Sequence, residues 1–256
     1  MMLMQKFTFF IVFISGMVSL SVEMAASRLL GNYFGTSNLV WASIIGLILI
    51  YLTAGYFLGG RWADRSPAYK TFFSILAWAA LTTALVPLIS RPILRLAADA
   101  FDNLRLGVMA GSFASVMILF IIPVTLLGMA SPFAIRLSIK DKESAGRISG
   151  QIYAISTLGS FIGTFLPVLI LIPLVGTYRT FLVIASILMT FALIGLFLAG
   201  RWRGLALYLW MPIVIVLLFL YGTPGTDKTT TGMIYEGESS YNYIQVLQDG
   251  EYTLLR

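Results

Sequence analysis

The chain has 256 residues, of which 59% are apolar and only 11% are charged, and its mean hydropathy is +0.91. A soluble domain of this length carries roughly a quarter charged residues, so this composition predicts an integral membrane protein. The absence of Cys and His excludes disulfides, thiolate or imidazole catalysis and the usual zinc sites, while the net charge of +6 comes from short basic clusters that orient a membrane protein rather than bind nucleic acid.

Seven apolar runs are long enough to cross a bilayer as helices, which takes about 20 residues each. We therefore expect an all-α polytopic bundle that occupies residues 1–221. The first run is too long for a cleaved signal peptide, and it holds charged residues where a cleavage region is neutral. The predicted spans are 7–30, 38–60, 70–90, 107–131, 150–173, 178–199 and 204–221.

Two charged residues lie in or near the first span, Glu23 and Arg28. A charge at the bilayer centre costs at least ~2.5–3.5 kcal/mol, so such residues are candidates for a substrate or proton site inside the bundle. The two are five residues apart, about 140° around a helix, and do not face each other squarely. The alternative is structural: each residue pairs with another helix, or Arg28 extends to the membrane surface.

The stretch 91–105 differs from the other connections because its apolar and charged residues alternate at helical spacing. Leu94 and Phe101 fall on one side, while Arg95 and Asp99 fall on the other. This pattern predicts an amphipathic helix that lies in the membrane interface, separate from the third span. A short solvated loop helix is the alternative.

Small residues and prolines predict how the helices pack and bend. Glycines four residues apart let helix backbones approach closely in lipid, and prolines inside spans are expected to kink them. The glycine pairs are Gly55 and Gly59, Gly107 and Gly111, Gly146 and Gly150, and Gly159 and Gly163; the prolines are Pro123, Pro167 and Pro212.

The distribution of basic residues predicts the orientation of the bundle. Loops on the amino-terminal side hold ten, and the opposite loops hold four, so the amino terminus is expected in the cytoplasm. With seven spans, the carboxyl-terminal tail then emerges outside. The ten are Lys6, Arg61, Arg65, Lys70, Arg136, Lys140, Lys142, Arg147, Arg201 and Arg203; the four are Arg91, Arg95, Arg105 and Arg179.

The last residues change character from membrane to soluble protein. A Gly-, Thr- and Pro-rich linker over 222–234 precedes an aromatic and branched run, and Asp249-Gly250 then supplies the turn of a β-hairpin. We interpret 235–256 as the start of a β domain. Since a two-stranded hairpin alone is marginally stable in water, we expect further chain or another subunit to complete the sheet.

The tail "ESSYNYIQVLQDGEYTLLR" resembles the amino-terminal strand pair of the spermidine synthase family. The spans resemble the membrane half of bacterial proteins in which a transporter-like part is fused to a synthase-like part. "IPVTLLGMASPFAIRL" is similar to that family's fourth helix and "GQIYAISTLGSFIGTFLPVLILIPLVG" to its next motif, with Ser156 where Asn is usual. The first two helices match at Ser15, Gly16, Leu20, Glu23, Arg28 and Leu29, and at Gly59, Gly60, Arg61, Ala63, Asp64 and Arg65.

This resemblance implies that the chain is the membrane portion of an aminopropyltransferase-like protein of the bacterial inner membrane. The Gly-rich nucleotide loop and catalytic Asp of that family would lie in a following domain, whose substrate would be decarboxylated S-adenosylmethionine. Asn242 stands where an active synthase has the Gln that contacts its nucleoside substrate. We therefore expect no catalytic residue, cofactor or metal within residues 1–256. A catalytic domain with a cytoplasmic nucleoside substrate conflicts with a tail that emerges outside. Either the stretch 91–105 changes the number of spans, or the following domain is not a cytoplasmic enzyme.

Gly60, Asp64 and Arg65 also resemble the loop between the second and third helices of the major facilitator superfamily. In that superfamily the Asp and Arg hold the cytoplasmic helix ends together and gate the conformational change. A transporter of that kind needs two six-helix halves, and this bundle resembles one half. It would work as a dimer, or it has become an anchor.

Three functions are consistent with the sequence. The first is a membrane-anchoring or sensing domain for a spermidine synthase-like domain. The second is a half-size secondary transporter of polyamines or another cation, which depends on Glu23 and the Asp64–Arg65 loop. The third is a subunit of a larger membrane complex. Expected partners are the lipid bilayer and, for the last two, further copies or subunits.

Overall fold

The computed structural model describes residues 2–104, 108–139, 141–222, 232–238, 243–250 and 252–255. Within this part of the chain, seven helical segments are long and apolar enough to cross a membrane, which confirms the predicted polytopic bundle. A small antiparallel sheet follows the helices. The seven segments are Leu3–Phe34, Asn38–Arg65, Tyr69–Ala98, Ala110–Ser138, Ala145–Val175, Thr177–Gly200 and Gly204–Tyr221.

The helices of the bundle are mostly longer than the bilayer core. The fourth span combines α4 and α5, and the fifth combines α6, a π-helical stretch over Pro167–Leu171, and α7. The helices are α1 (Met2–Phe34), α2 (Asn38–Arg65), α3 (Tyr69–Leu104), α4 (Val108–Gly128), α5 (Ala130–Ser138), α6 (Ala145–Leu166), α7 (Ile172–Val175), α8 (Thr177–Ala206) and α9 (Trp210–Tyr221), with a 3₁₀ turn at Lys142–Ser144.

Glycines bring two pairs of helices into close contact. A Cβ added to Gly159 or Gly163 on α6 would lie 2.0 Å from a backbone carbonyl oxygen of α1. Likewise, a Cβ on Gly55 of α2 would lie 2.3 Å from the Thr125 carbonyl oxygen of α4. The close helix packing predicted from the glycines is confirmed where α6 meets α1 and where α2 meets α4. It is wrong for Gly146 and Gly150, which face open space, and the partner of Gly111, residue 107, lies outside the described residues.

The core of the bundle lies around α3, which packs against α4 and α8. Phe72 on α3 stacks on Phe133 of α5 with ring centroids 6.0 Å apart, and Phe120 on α4 stacks on Phe181 of α8 at 6.1 Å. All four rings are fully buried. Since lipid is as apolar as these side chains, their shape complementarity rather than the hydrophobic effect selects this arrangement.

The interface helix predicted for 91–105 is not a separate element over residues 91–104, and residue 105 lies outside the described residues. It continues the third span, because α3 runs unbroken for 36 residues with Pro87 and Pro92 inside it. Such a helix is about 54 Å long, against about 30 Å of hydrocarbon, so its end extends past the membrane core. The segment adds no crossing, and the count of seven spans stands.

The three predicted proline kinks have different outcomes. Pro123 lies inside α4, and Pro167 begins the π-helical stretch, which is a local break in the regular helix. Pro212 is the third residue of α9, where the missing N–H has no helical partner to lose. It therefore begins a helix after the turn at 207–209 instead of kinking one, and that prediction is wrong.

The tail forms a three-stranded sheet in the order β1 (Met233–Glu238), β2 (Tyr243–Asp249) and β3 (Tyr252–Leu255). The predicted hairpin of β2 and β3 is confirmed, and Gly250 turns the chain with a φ of 61°. β1 is an additional strand that the sequence analysis did not identify, and it begins inside the stretch interpreted as linker. It pairs with β2 antiparallel and places Glu238 opposite Tyr243.

Candidate functional site

A carboxylate at the end of β1 joins the sheet to the bundle. The Asn32 side-chain amide donates to Oε1 of Glu238 at 2.7 Å, and the Thr177 backbone N–H donates to Oε2 at 2.7 Å. Asn32 is buried near the end of α1, and Thr177 is the first residue of α8. Glu238 thus satisfies an N–H that a helix start leaves without a helical partner, and its charge lies at the positive end of the helix dipole.

Gly176, the residue before Thr177, explains why a side chain from outside α8 can reach the Thr177 N–H. Gly176 has a φ of 81°, and its left-handed backbone ends α7 and turns the chain directly into α8. No side chain of the connection caps α8, because its N-cap position is glycine. The first N–H of α8 is therefore open to an acceptor, and the carboxylate of Glu238 supplies it.

A cation–π contact lies beside this junction. The Arg91 guanidinium lies 4.2 Å from the centroid of the Tyr178 ring, and Tyr178 is buried next to Thr177. The contact joins α3 to α8 at the end of the bundle where the sheet lies, which we call the sheet end. Glu238, Asn32, Thr177, Arg91 and Tyr178 together form what we call the junction cluster.

At the opposite end of the bundle, which we call the amino-terminal end, an ion pair joins two helix ends. Nε of Arg136 on α5 donates to Oδ1 of Asp64 on α2 at 3.0 Å. Asp64 is 72% exposed and Arg136 is 47% exposed, so the pair holds the helix ends together only weakly. Arg65 is exposed and lies in a groove with Arg61 and Trp62.

Of the predicted gating residues, Gly60 has no packing role that requires glycine. The nearest atom to a Cβ added there is 4.0 Å away, which is ordinary contact. At neighbouring Gly59 the added Cβ would lie 2.7 Å from the Met129 Cα. Gly59 therefore sets the approach of α2 to the α4–α5 junction, and the exposed Asp64–Arg136 pair lies at the helix ends beyond it.

Glu23 and Arg28 are both half-buried on α1, and the structure does not bring them together. Among the described residues, Glu23 has no ion pair or hydrogen bond within the protein. Arg28 does interact with other groups. The third predicted binding residue, Asn242, lies outside the described residues.

Four functional candidates have no signal in the sequence alone: Glu238, Asn32, Thr177 and Arg136. Local patterns carry no signal for a contact such as Asn32 with Glu238, whose residues are 206 positions apart. The only local hint is the Gly176-Thr177 step, which marks a helix end followed at once by a helix start.

No protein-family model, curated protein or solved structure matches the chain. The geometry of the junction cluster and of the two helix ends is therefore the basis for assigning a function.

Proposed function

We propose that this chain is a multi-pass membrane anchor that holds a synthase-like β domain against one end of its helical bundle. The observation that carries the proposal is the pair of hydrogen bonds from Asn32 and Thr177 to Glu238. The two hydrogen bonds join the sheet to two different helices, α1 and α8, which supports a fixed position of the sheet at this end of the bundle.

The exposed side chains of the sheet support a larger domain. Tyr252, Leu254 and Leu255 on β3 are all at least half exposed, although they are apolar. A free sheet with apolar residues in water is an aggregation hazard, so such a strand is normally covered by further structure. We propose that this cover is the rest of an aminopropyltransferase-like domain in a protein of the bacterial inner membrane. Decarboxylated S-adenosylmethionine is its substrate only if the sheet end of the bundle faces the cytoplasm.

The native open reading frame tests this proposal directly. We expect the frame to continue past Arg256 into a Gly-rich nucleotide-binding loop followed by an acidic residue. A stop codon directly after Arg256, or a continuation without that loop, would overturn the synthase-like assignment. The test needs only the genomic sequence, and it is independent of whether the bundle also transports a solute.

A half-size secondary transporter of polyamines or another cation is the second candidate. The observation in its favour is the Asp64–Arg136 ion pair, which joins helix ends where the major facilitator superfamily has its gating loop. In this candidate Glu23 is the proton-coupling carboxylate, because it lies inside a span without an ion pair among the described residues.

A further inference from the structure

A cavity lies between helices near the middle of the bundle. Its volume is about 70 Å³. That is room for about five waters or for one solute of similar size. It is lined by Ser15, Gly16, Ser19, Leu20, Leu52, Tyr56, Leu127, Gly128, Ser131, Ser156 and Ser160.

The elements around the cavity place it inside the membrane-spanning part. Its walls come from α1, α2, the α4–α5 junction and α6, which belong to four different spans. Ser15 and Ser19 lie near the midpoint of the first span, and Ser156 and Ser160 lie near the midpoint of the fifth. The close approach of α1 and α6 at Gly159 and Gly163 brings these serines together.

Three serine hydroxyls in the cavity make no hydrogen bond to any described residue. A serine in a helix usually donates to a carbonyl of the preceding turn. Ser15 does so to Val12, and Ser160 donates across to Gly16. Ser19, Ser131 and Ser156 do neither, although Ser131 is only 9% exposed.

Of these three residues, Ser131 is buried, while Ser19 and Ser156 are half-buried and their hydroxyls face the cavity. A buried hydroxyl without a hydrogen-bond partner is costly inside a bilayer. A polar occupant of the cavity removes that cost. Water can bond to the serines, but Leu20, Leu52 and Leu127 in the walls offer it no hydrogen bonds. A small molecule with hydroxyl groups on a carbon chain meets the serines with its oxygens and the leucines with its carbons.

None of the residues that line the cavity carries a charge. A polyamine or other organic cation would lose its hydration there without gaining a carboxylate. We propose that this cavity is a binding site for a small, uncharged polyol-like solute, held by the hydroxyls of Ser19, Ser131 and Ser156. The proposal is independent of the anchoring function.

Saturation-transfer NMR on the purified full chain in micelles tests this site, with glycerol as the probe. We expect saturable transfer to glycerol in the wild type and none to spermidine. Replacing Ser131 and Ser156 together by Ala should weaken glycerol binding about tenfold or more, since each loses one hydrogen bond to the ligand. Neither substitution removes a hydrogen bond within the described protein, so the fold is expected to survive.

Two further variants keep the test decisive. Ser19→Leu fills the cavity and should abolish glycerol transfer. Ser186→Ala is the matched control, because that hydroxyl donates to the Leu182 carbonyl on α8, away from the cavity, and binding should not change. Equal glycerol transfer in all variants, no transfer in the wild type, or spermidine transfer that Ser19→Leu removes would each overturn the proposal.

Discussion

At the scale of single residues, the most consequential contact is made by Glu238. One carboxylate accepts from a side-chain amide at the end of α1 and from the first N–H of α8. Hydrogen bonds to a charged group typically contribute about 1.5–3 kcal/mol, and a helix cap about 1 kcal/mol. This contact therefore stabilises the position of the sheet against the bundle.

Removing the carboxylate should release the sheet. We expect Glu238→Ala to raise hydrogen–deuterium exchange at the Thr177 amide at least tenfold, because that N–H loses its acceptor. The measurement is exchange mass spectrometry in nanodiscs. Glu236→Gln is the matched control on the same strand, because its carboxylate accepts a hydrogen bond from Tyr243 within the sheet. Unchanged protection of Thr177 in Glu238→Ala would show that the sheet is held by other contacts.

A second residue-scale prediction concerns Glu23. Because it forms no ion pair among the described residues, Glu23→Gln removes a charge from a span without breaking a contact, and the melting temperature should be unchanged or higher. If the chain is a proton-coupled transporter, the same variant should lose pH-dependent spermidine uptake in proteoliposomes. Glu143→Gln, at an exposed position outside the spans, is the control. A fall in melting temperature for Glu23→Gln alone would indicate a structural partner.

At the scale of elements, the sequence predicts the bundle well and its connections less well. A run of 20 apolar residues is a strong signal, so all seven spans are found. The signal does not show where a helix ends beyond the membrane, which is why α3 continues through Pro92 without the predicted break. β1 was missed because Met233–Glu238 is short, contains a glycine and two glutamates, and follows a polar linker. Its role comes from Glu238, which only the folded chain brings to α8.

Also at this scale, the α1–α6 contact should be sensitive to one methyl group. A Cβ on Gly163 would lie 2.0 Å from the Met17 carbonyl oxygen, so the helices must separate to accept it. Gly163→Ala should lower stability by about 1–3 kcal/mol, measured by thermal unfolding in detergent. Gly150→Ala on the same helix meets open space and should be neutral or slightly stabilising. Equal effects of the two substitutions would contradict the packing of α1 on α6.

At the scale of the whole molecule, an odd number of crossings separates the two ends of the chain. Asp64 and Arg136 meet at the amino-terminal end of the bundle, while Asn32, Thr177 and Glu238 meet at the sheet end. An odd number of spans places the tail at the end of the bundle opposite the amino terminus. The hydrogen bonds of Glu238 to Asn32 and Thr177 place the sheet at that same end, and they do so independently of the count. The stretch 91–105 was the segment suspected of altering the count, and residues 91–104 of it are part of α3.

Surface labelling tests this arrangement, and the absence of cysteine from the sequence makes single-cysteine variants specific. Tyr252 on β3 is 77% exposed at the sheet end, and Ala68 is exposed in the loop between α2 and α3 at the amino-terminal end. Since basic residues concentrate at the amino-terminal end, we expect that end in the cytoplasm.

A membrane-impermeable maleimide on intact spheroplasts should label Tyr252→Cys at once and Ala68→Cys only after lysis. Labelling of both from one side would refute the seven-span count. The reverse pattern would keep that count, refute the orientation, and place the sheet in the cytoplasm with the nucleoside substrates of synthases.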